Sequence, residues 1–397
     1  MSDKNYDELN FTVNDKTVFL NTVNHEFFQE NEAELIYEAL KSGLVKRSFG
    51  DYLKRYICRR AELEGNWRDI PLNVYRQIII ESFADNSTPA SFTPTTAKLS
   101  ALTKNWLTQD TVKRKVVFQL AFGLGMSEED VSYFLMKVLR ERDINPKDPF
   151  ELICWYCIRN RLGYPKCVQL LEQFESLKPN EMLREDIFGE RTVSIRHLYS
   201  GINDDAALMA QLSKMKSADN LSLFSVTARY YFDKLYAEAK TIIAKSYSNY
   251  WNNNKGKAYT AEDITAGDVE RILCSSVPRD KNGNLTKLSL SEHTAGFSDR
   301  RFSRQHIFEI LNGNCDVDRF DLITLEFLIY SQKLDEYPDP KQRFLKFTDS
   351  INAILSECSM GELIISNTYE CFVMMCMLTE DPLITYSDVW AMSREEK

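Results

Sequence analysis

Glycine and proline are scarce in this chain, 14 and 11 among 397 residues, so few positions favour tight turns or interrupt a helix. The longest apolar run of its C-terminal part, Cys371–Leu378, falls far short of the roughly 20 residues that span a bilayer. The N-terminal MSDKNYDELN is polar and acidic, the wrong composition for a signal or transit peptide. There is no Walker loop, GxGxxG, GxSxG or HExxH, so the patterns that cradle phosphates, dinucleotides or zinc are missing. No cofactor, no metal and no enzymatic activity are expected. Nine cysteines at irregular spacing make no disulfide framework, which places the chain in a reducing cytoplasm. No membrane partner is expected.

What is present is a globular composition, 44% hydrophobic and 12% aromatic. Apolar residues recur at spacings of three, four and seven, which predicts an all-α, multi-helix protein. The length predicts two or three domains. A net charge of -9 weighs against nucleic-acid binding, but the charge is uneven. Residues 1–45 hold three lysines and arginines against nine acidic residues, whereas 46–120 hold thirteen against seven. Residues 278–304 hold six against three, and 305–397 hold seven against seventeen. Two basic islands thus lie in an acidic chain, and a local patch can bind phosphate despite an acidic total.

Periodicity, caps and breaks divide the chain into an acidic helical lead-in (1–45), a first helical module (46–148), a middle helical region (149–255), a second module (256–335) and an acidic helical tail (336–397). Helices are predicted at Glu30–Lys41, Phe49–Arg60, Leu72–Phe83 and Thr111–Leu124. Thr93 followed by Pro94 reads as a cap with proline at the first helical position, opening a helix over Thr95–Thr103. Ser127 and Asp148-Pro149 open two more helices. Trp251–Tyr259 is the clearest linker, and Arg279–Leu285 holds the one Asn-Gly turn signal.

The stretch Phe297–Gln332 comes closest to stating a function. A short polar helix, Ser303–Leu311, carries Arg304, Gln305 and His306 near its start; Asn312-Gly313-Asn314 breaks it, and a second helix opens at Asp318. Shifting residues 112–124 by 205 positions lays VKRKVVFQLAFGL on VDRFDLITLEFLI. The shared pattern is V-x-R-x-x-apolar-apolar-x-L-x-F-x-apolar. Allowing three residues for the turn, Leu99 and Leu102 fall on Ile307 and Ile310.

Both stretches resemble the lambda-repressor/Cro-like (XRE) helix-turn-helix family, in two diverged copies. Ser303, Ile307, Asn312-Gly313 and the Arg319–Tyr330 helix carry the second copy. Thr95, Leu99 and the Thr111–Leu124 helix carry the first, with Asn105 where a glycine is usual. Insertions at Arg59–Pro71 and Pro278–Leu288 depart from the family pattern. The resemblance implies a DNA-binding regulator, of transcription or of a mobile or defence-associated element, whose recognition helix presents its first turn to the major groove. Arg304 would then pair with guanine and Gln305 with adenine. Ser303 would cap the helix and touch phosphate, His306 would face the groove, and Arg300, Arg301 and Arg319 would neutralise phosphates. In the first copy Thr96, Lys98 and Lys104 face outward, and Lys113, Arg114 and Lys115 form the backbone-facing cluster. Double-stranded DNA is the expected partner, bound by a homodimer, with a protein partner on the acidic tail or the aromatic middle helices.

Two other readings remain beside it. The chain fits a helical adaptor or inhibitor in which the modules are architectural. Arg191…His197 and Arg301…His306 also have the spacing of HEPN-type ribonucleases, which cleave RNA by general acid–base chemistry. Cys154-Trp-Tyr-Cys157 lacks a second ligand pair and lies in an apolar helix, as do Cys371, Cys376 and Met374, Met375 and Met377; all are expected in the core. Asp316, Asp318 and Asp321 lack the glycine and terminal glutamate of a calcium loop.

Overall fold

A computed structural model describes residues 32–41, 48–177, 202–216, 224–252, 258–276, 302–365 and 367–395. Among them the chain is all-α, with sixteen α-helices and no strand; the one extended pairing is an isolated bridge between Arg142 and Met360. No helix among the described residues is long and apolar enough to cross a membrane. The chain divides into two units. The first comprises Arg47–Val226 with Glu357–Gly361; the second comprises Met1–Lys46, Thr227–Ser356 and Glu362–Lys397.

Helix α1 (Glu32–Lys41) precedes the first unit in the chain yet belongs to the second. The first unit holds α2 (Phe49–Arg60), α3 (Leu72–Asp85), α4 (Leu99–Trp106), α5 (Arg114–Leu124), α6 (Glu128–Tyr133, continued by a π turn, Phe134–Val138), α7 (Pro149–Arg159), α8 (Tyr164–Ser176) and α9 (Asp205–Met215). The second continues with α10 (Val226–Asn252), α11 (Ala266–Leu273), α12 (Arg304–Leu311), α13 (Arg319–Ser331), α14 (Pro340–Glu357), α15 (Thr368–Met377) and α16 (Pro382–Glu395). Short polar side chains set the starts. Ser48, Ser127 and Asp318 each form a reciprocal capping box, with Asp51, Asp130 and Asp321 respectively, satisfying backbone donors that the first turn leaves open. Asp148 caps α7 with Pro149 at its first position, and Gly125, at φ +58°, ends α5 in the left-handed region.

Each unit buries two helices on all sides, α5 and α7 in the first and α13 and α15 in the second. In α5 every residue from Val117 to Leu124 is buried, and in α13 every residue from Asp321 to Ile329. A helix apolar around its whole circumference can only be satisfied in this way. Aromatic clusters close over both: Phe92 lies 4.9 Å from Phe150 and 5.1 Å from Tyr164 in the first unit, and Tyr386 lies 4.9 Å from Phe327 and 4.8 Å from Phe372 in the second.

The internal repeat extends well beyond its sequence trace. Helices α4 and α12 both have eight residues, and their ends coincide at the 205-residue shift. The connections 107–113 and 312–318 have seven residues each, 139–148 and 358–367 ten each, and 160–163 and 378–381 four each. Helices α4 to α8 therefore match α12 to α16 in order and spacing. The main difference is that α14 is longer than its counterpart, as is the connection before it. This alters the expected alignment of the short helices. At that shift Leu102 falls on Ile307 with no three-residue allowance, and the buried pair of α4, Thr103 and Trp106, lies one position beyond that of α12, Ile307 and Ile310.

The helix expected over Thr95–Thr103 is displaced. Residues 91–98 form no helix, and α4 begins at Leu99 and runs through the anticipated break at Lys104-Asn105-Trp106. The cause is local. Ser91 Oγ accepts the Thr93 amide at 3.2 Å and Thr95 Oγ1 accepts the Ala97 amide at 3.0 Å, turns that compete with helix for the same backbone donors. The predicted α2 span, Phe49–Arg60, holds as drawn. The Asn282-Gly283 turn lies outside the described residues.

Candidate nucleic-acid interface

Helix α12 is fixed at three points, and what they leave outward is the candidate surface. Ser303 caps its start, its Oγ accepting the His306 amide at 3.2 Å. Ile307 and Ile310 are buried beneath it. At its far end the Arg229 guanidinium on α10 donates to the Ile310 and Leu311 carbonyls, filling acceptors that a helix terminus leaves open. Gly313, at φ +72°, carries the chain out of the helix, a backbone position that suits glycine.

Arg304 and Gln305 are exposed on the first turn, as the spacing predicts. Gln305 Nε2 donates to Glu309 Oε1 at 2.7 Å along the same helix. One turn on, Phe308 is half exposed, an apolar ring on the outward face that sequence reading passed over. Arg300 and Arg301 lie outside the described residues, as do Arg191 and His197.

His306 turns sideways rather than out. Its Nε2 lies 2.7 Å from Asp321 Oδ1, and the Asp321 side chain is fully buried. Burial pushes the Asp321 carboxyl up to about 6, with the nearby Asp318 charge adding to the rise and the hydrogen bond from His306 opposing it. The other Asp321 oxygen accepts the Asp318 amide at 2.9 Å. The pair is particular to this copy, because Ala101 and Val116 stand at the matching places of the first. An imidazole so held is oriented by a carboxylate and keeps partial access to solvent.

Arg319 is not a phosphate contact. It is 6% exposed, and its Nε donates to Glu370 Oε1 at 2.8 Å. The second Glu370 oxygen accepts the Ile364 amide at 2.8 Å, and Arg319 also reaches the Glu362 carbonyl at 3.4 Å. Arg114, its counterpart, is tied the same way. It holds Glu151 through two contacts of 2.8 and 2.7 Å, Glu151 accepts the Asn145 amide at 2.7 Å, and Arg114 reaches the Asp143 carbonyl at 3.2 Å. Its guanidinium pKa is raised; burial works against the charge, but Glu151 and Glu141 outweigh it. A cation in the first turn opposes the helix dipole, so its appearance there in both copies marks a structural tie to a carboxylate. The glutamates were legible in principle: Asp148-Pro-Phe-Glu151 and Asn367-Thr-Tyr-Glu370 share one cap-x-aromatic-Glu pattern.

On the first copy Lys98, Lys104, Lys113 and Lys115 are exposed, with the Lys115 ammonium 5.0 Å from the centre of the Phe150 ring. Thr96 is exposed too, but it precedes the helix. Cys154, Cys157, Cys371 and Cys376 are buried, and no cluster of metal-ligating side chains occurs among the described residues. Comparison of the chain with family models, curated proteins and solved structures finds no match.

Proposed function

We propose that the chain is a cytoplasmic DNA-binding regulator that reads duplex DNA through the outward face of α12, with α4 as a second contact of the same kind. The observation that carries this reading is the exposed, capped first turn of α12 bearing Arg304 and Gln305. A bidentate Arg–guanine or Gln–adenine pair contributes about 1–3 kcal/mol of discrimination, and the half-exposed Phe308 suits a thymine methyl. Lys98, Lys104, Lys113 and Lys115 supply phosphate contacts. Arg114 and Arg319 take no part.

The test is a salt titration of the full chain on random and selected duplexes. A steep negative slope of log affinity against log salt is expected, reduced by about one for each phosphate-contacting lysine replaced. Arg304→Ala should erase sequence preference more than non-specific affinity. Absence of binding at about 50 mM salt removes the reading, since non-specific affinity is greatest at low salt. A protein-binding role rests on Phe308, an aromatic ring in the middle of the same face. A flat salt titration, together with loss of a stoichiometric protein partner in Phe308→Ser, would put that role in place of DNA.

A further inference from the structure

Two helices, one next in the chain after its hairpin and one far ahead of it, dock in the same way. Helix α9 immediately precedes the second unit in sequence, yet it packs on α7 and α8, the last hairpin of the first. Helix α1 immediately precedes the first unit, yet it packs on α15 and α16, the last hairpin of the second. The mode of docking is shared. The buried stripe of α1 is Ile36, Tyr37 and Leu40, and that of α9 is Leu208, Leu212 and Met215. Each helix opens with an acidic residue that reaches the start of the hairpin's second helix. Asp205 lies 2.6 Å from Lys166 Nζ and accepts the Tyr156 hydroxyl at 2.9 Å. Glu32 lies beside the Glu380 backbone and the Thr385 side chain at the start of α16, both of which favour its charged form.

We propose that the chain is a tandem pair of one helical unit in which each copy is completed by the helix that leads the other. The α15–α16 and α7–α8 hairpins are then helix-docking surfaces, with α1 and α9 as their occupants. Three observations converge on this. Three of the four connections match in length between the copies. The Arg–Glu clasp is repeated down to the carbonyl and amide that complete it. A two-turn apolar stripe with an acidic first residue lies on each last hairpin. Adjacency in the chain accounts for α9 on the α7–α8 hairpin but not for α1 on the α15–α16 hairpin. Because the stripe and the acidic end lie on α1 itself, the docked helix should remain bound without its covalent link to α2.

The test uses the full chain with a specific protease site inserted in residues 42–47, between α1 and α2. After cleavage the N-terminal fragment should stay with the remainder through size exclusion, and amide exchange over 368–395 should be unchanged. With Ile36→Asp and Leu40→Asp the fragment should separate after cleavage. In the uncleaved form of that variant, exchange over 368–395 should accelerate at least tenfold while 49–85 and 149–176 keep their protection. Glu32→Ala, a milder change, should give a smaller acceleration in the same region. Reciprocally, Leu208→Asp with Leu212→Asp should deprotect 149–176 and leave 226–252 alone. Release of the unsubstituted fragment, deprotection of 49–85 by the α1 changes, or equal deprotection of both units would each overturn the proposal.

Discussion

The two units share a frame and differ in what is set into it. Both bury a pair of helices on all sides and anchor the first-turn arginine of one to a first-turn glutamate of the other. Around that frame the first unit places a thiol cluster, with Cys154 Sγ 3.8 Å from Cys167 Sγ and Cys157 beside them. The neighbouring Cys167 thiol and then burial raise the Cys157 pKa far above that of a free thiol, which makes it inert packing. The second unit places the His306–Asp321 pair between α12 and α13, where the first has Ala101 and Val116. What is duplicated is architecture, and what differs marks where each copy has its own chemistry.

The largest expected effect tests the clasp. Arg319→Met leaves Glu370 buried without its partner, and breaking a buried pair costs about 3–5 kcal/mol. Arg114→Met should cost less, because Arg114 is 24% exposed against 7% for Arg319. Each loss should be confined to its own unit in amide exchange. Restoring balance with Arg319→Met and Glu370→Met together should recover much of the stability; no recovery would mean the pair is not the anchor. Next comes a difference between the central helices. A methyl at Gly123 would stand 1.9 Å from the Phe83 ring, whereas Leu328 fills the matching place in α13. Gly123→Ala should therefore destabilise the first unit by roughly 3 kcal/mol in thermal unfolding, at the upper end for overpacking.

The third effect depends on pH. Folding raises the Asp321 pKa, so the folded state binds the proton more tightly than the unfolded chain between the ordinary carboxylate range and about 6. Stability of the second unit should fall as pH rises through that window, by roughly 1–3 kcal/mol from this group. Asp321→Asn should flatten the profile when melting is followed from pH 4 to 7. A profile unchanged by the substitution would remove Asp321 as its source. The smallest effect concerns caps. Ser303→Ala should cost about 1 kcal/mol, while Lys98, which makes no side-chain cap on α4, should give a gain when changed to serine.

Much of the frame was legible because it is written locally. The α2 span follows from Ser48 and a single apolar stripe, and the outward placement of Arg304 and Gln305 follows from Ile307 and Ile310 at helical spacing. The errors came from interactions that spacing does not carry. Pro94 resembles a helix start, but hydroxyls at Ser91 and Thr95 capture the amides that a helix would use. Arg319 resembles a phosphate ligand, but its partner lies 51 residues away. His306 resembles a groove-facing residue until Asp321, across the turn, takes its ring nitrogen.

The docking of α1 on α15 and α16 also sets a timetable. Helix α1 leaves the ribosome well before the hairpin that receives it. At about 5–20 residues per second the intervening chain takes roughly 20–70 s to make. For that interval Ile36, Tyr37 and Leu40 have no final surface to cover them. The first unit has its helices through α9 early but waits for Glu357–Gly361 to be closed, and the second is completed only when α1 meets the α15–α16 hairpin.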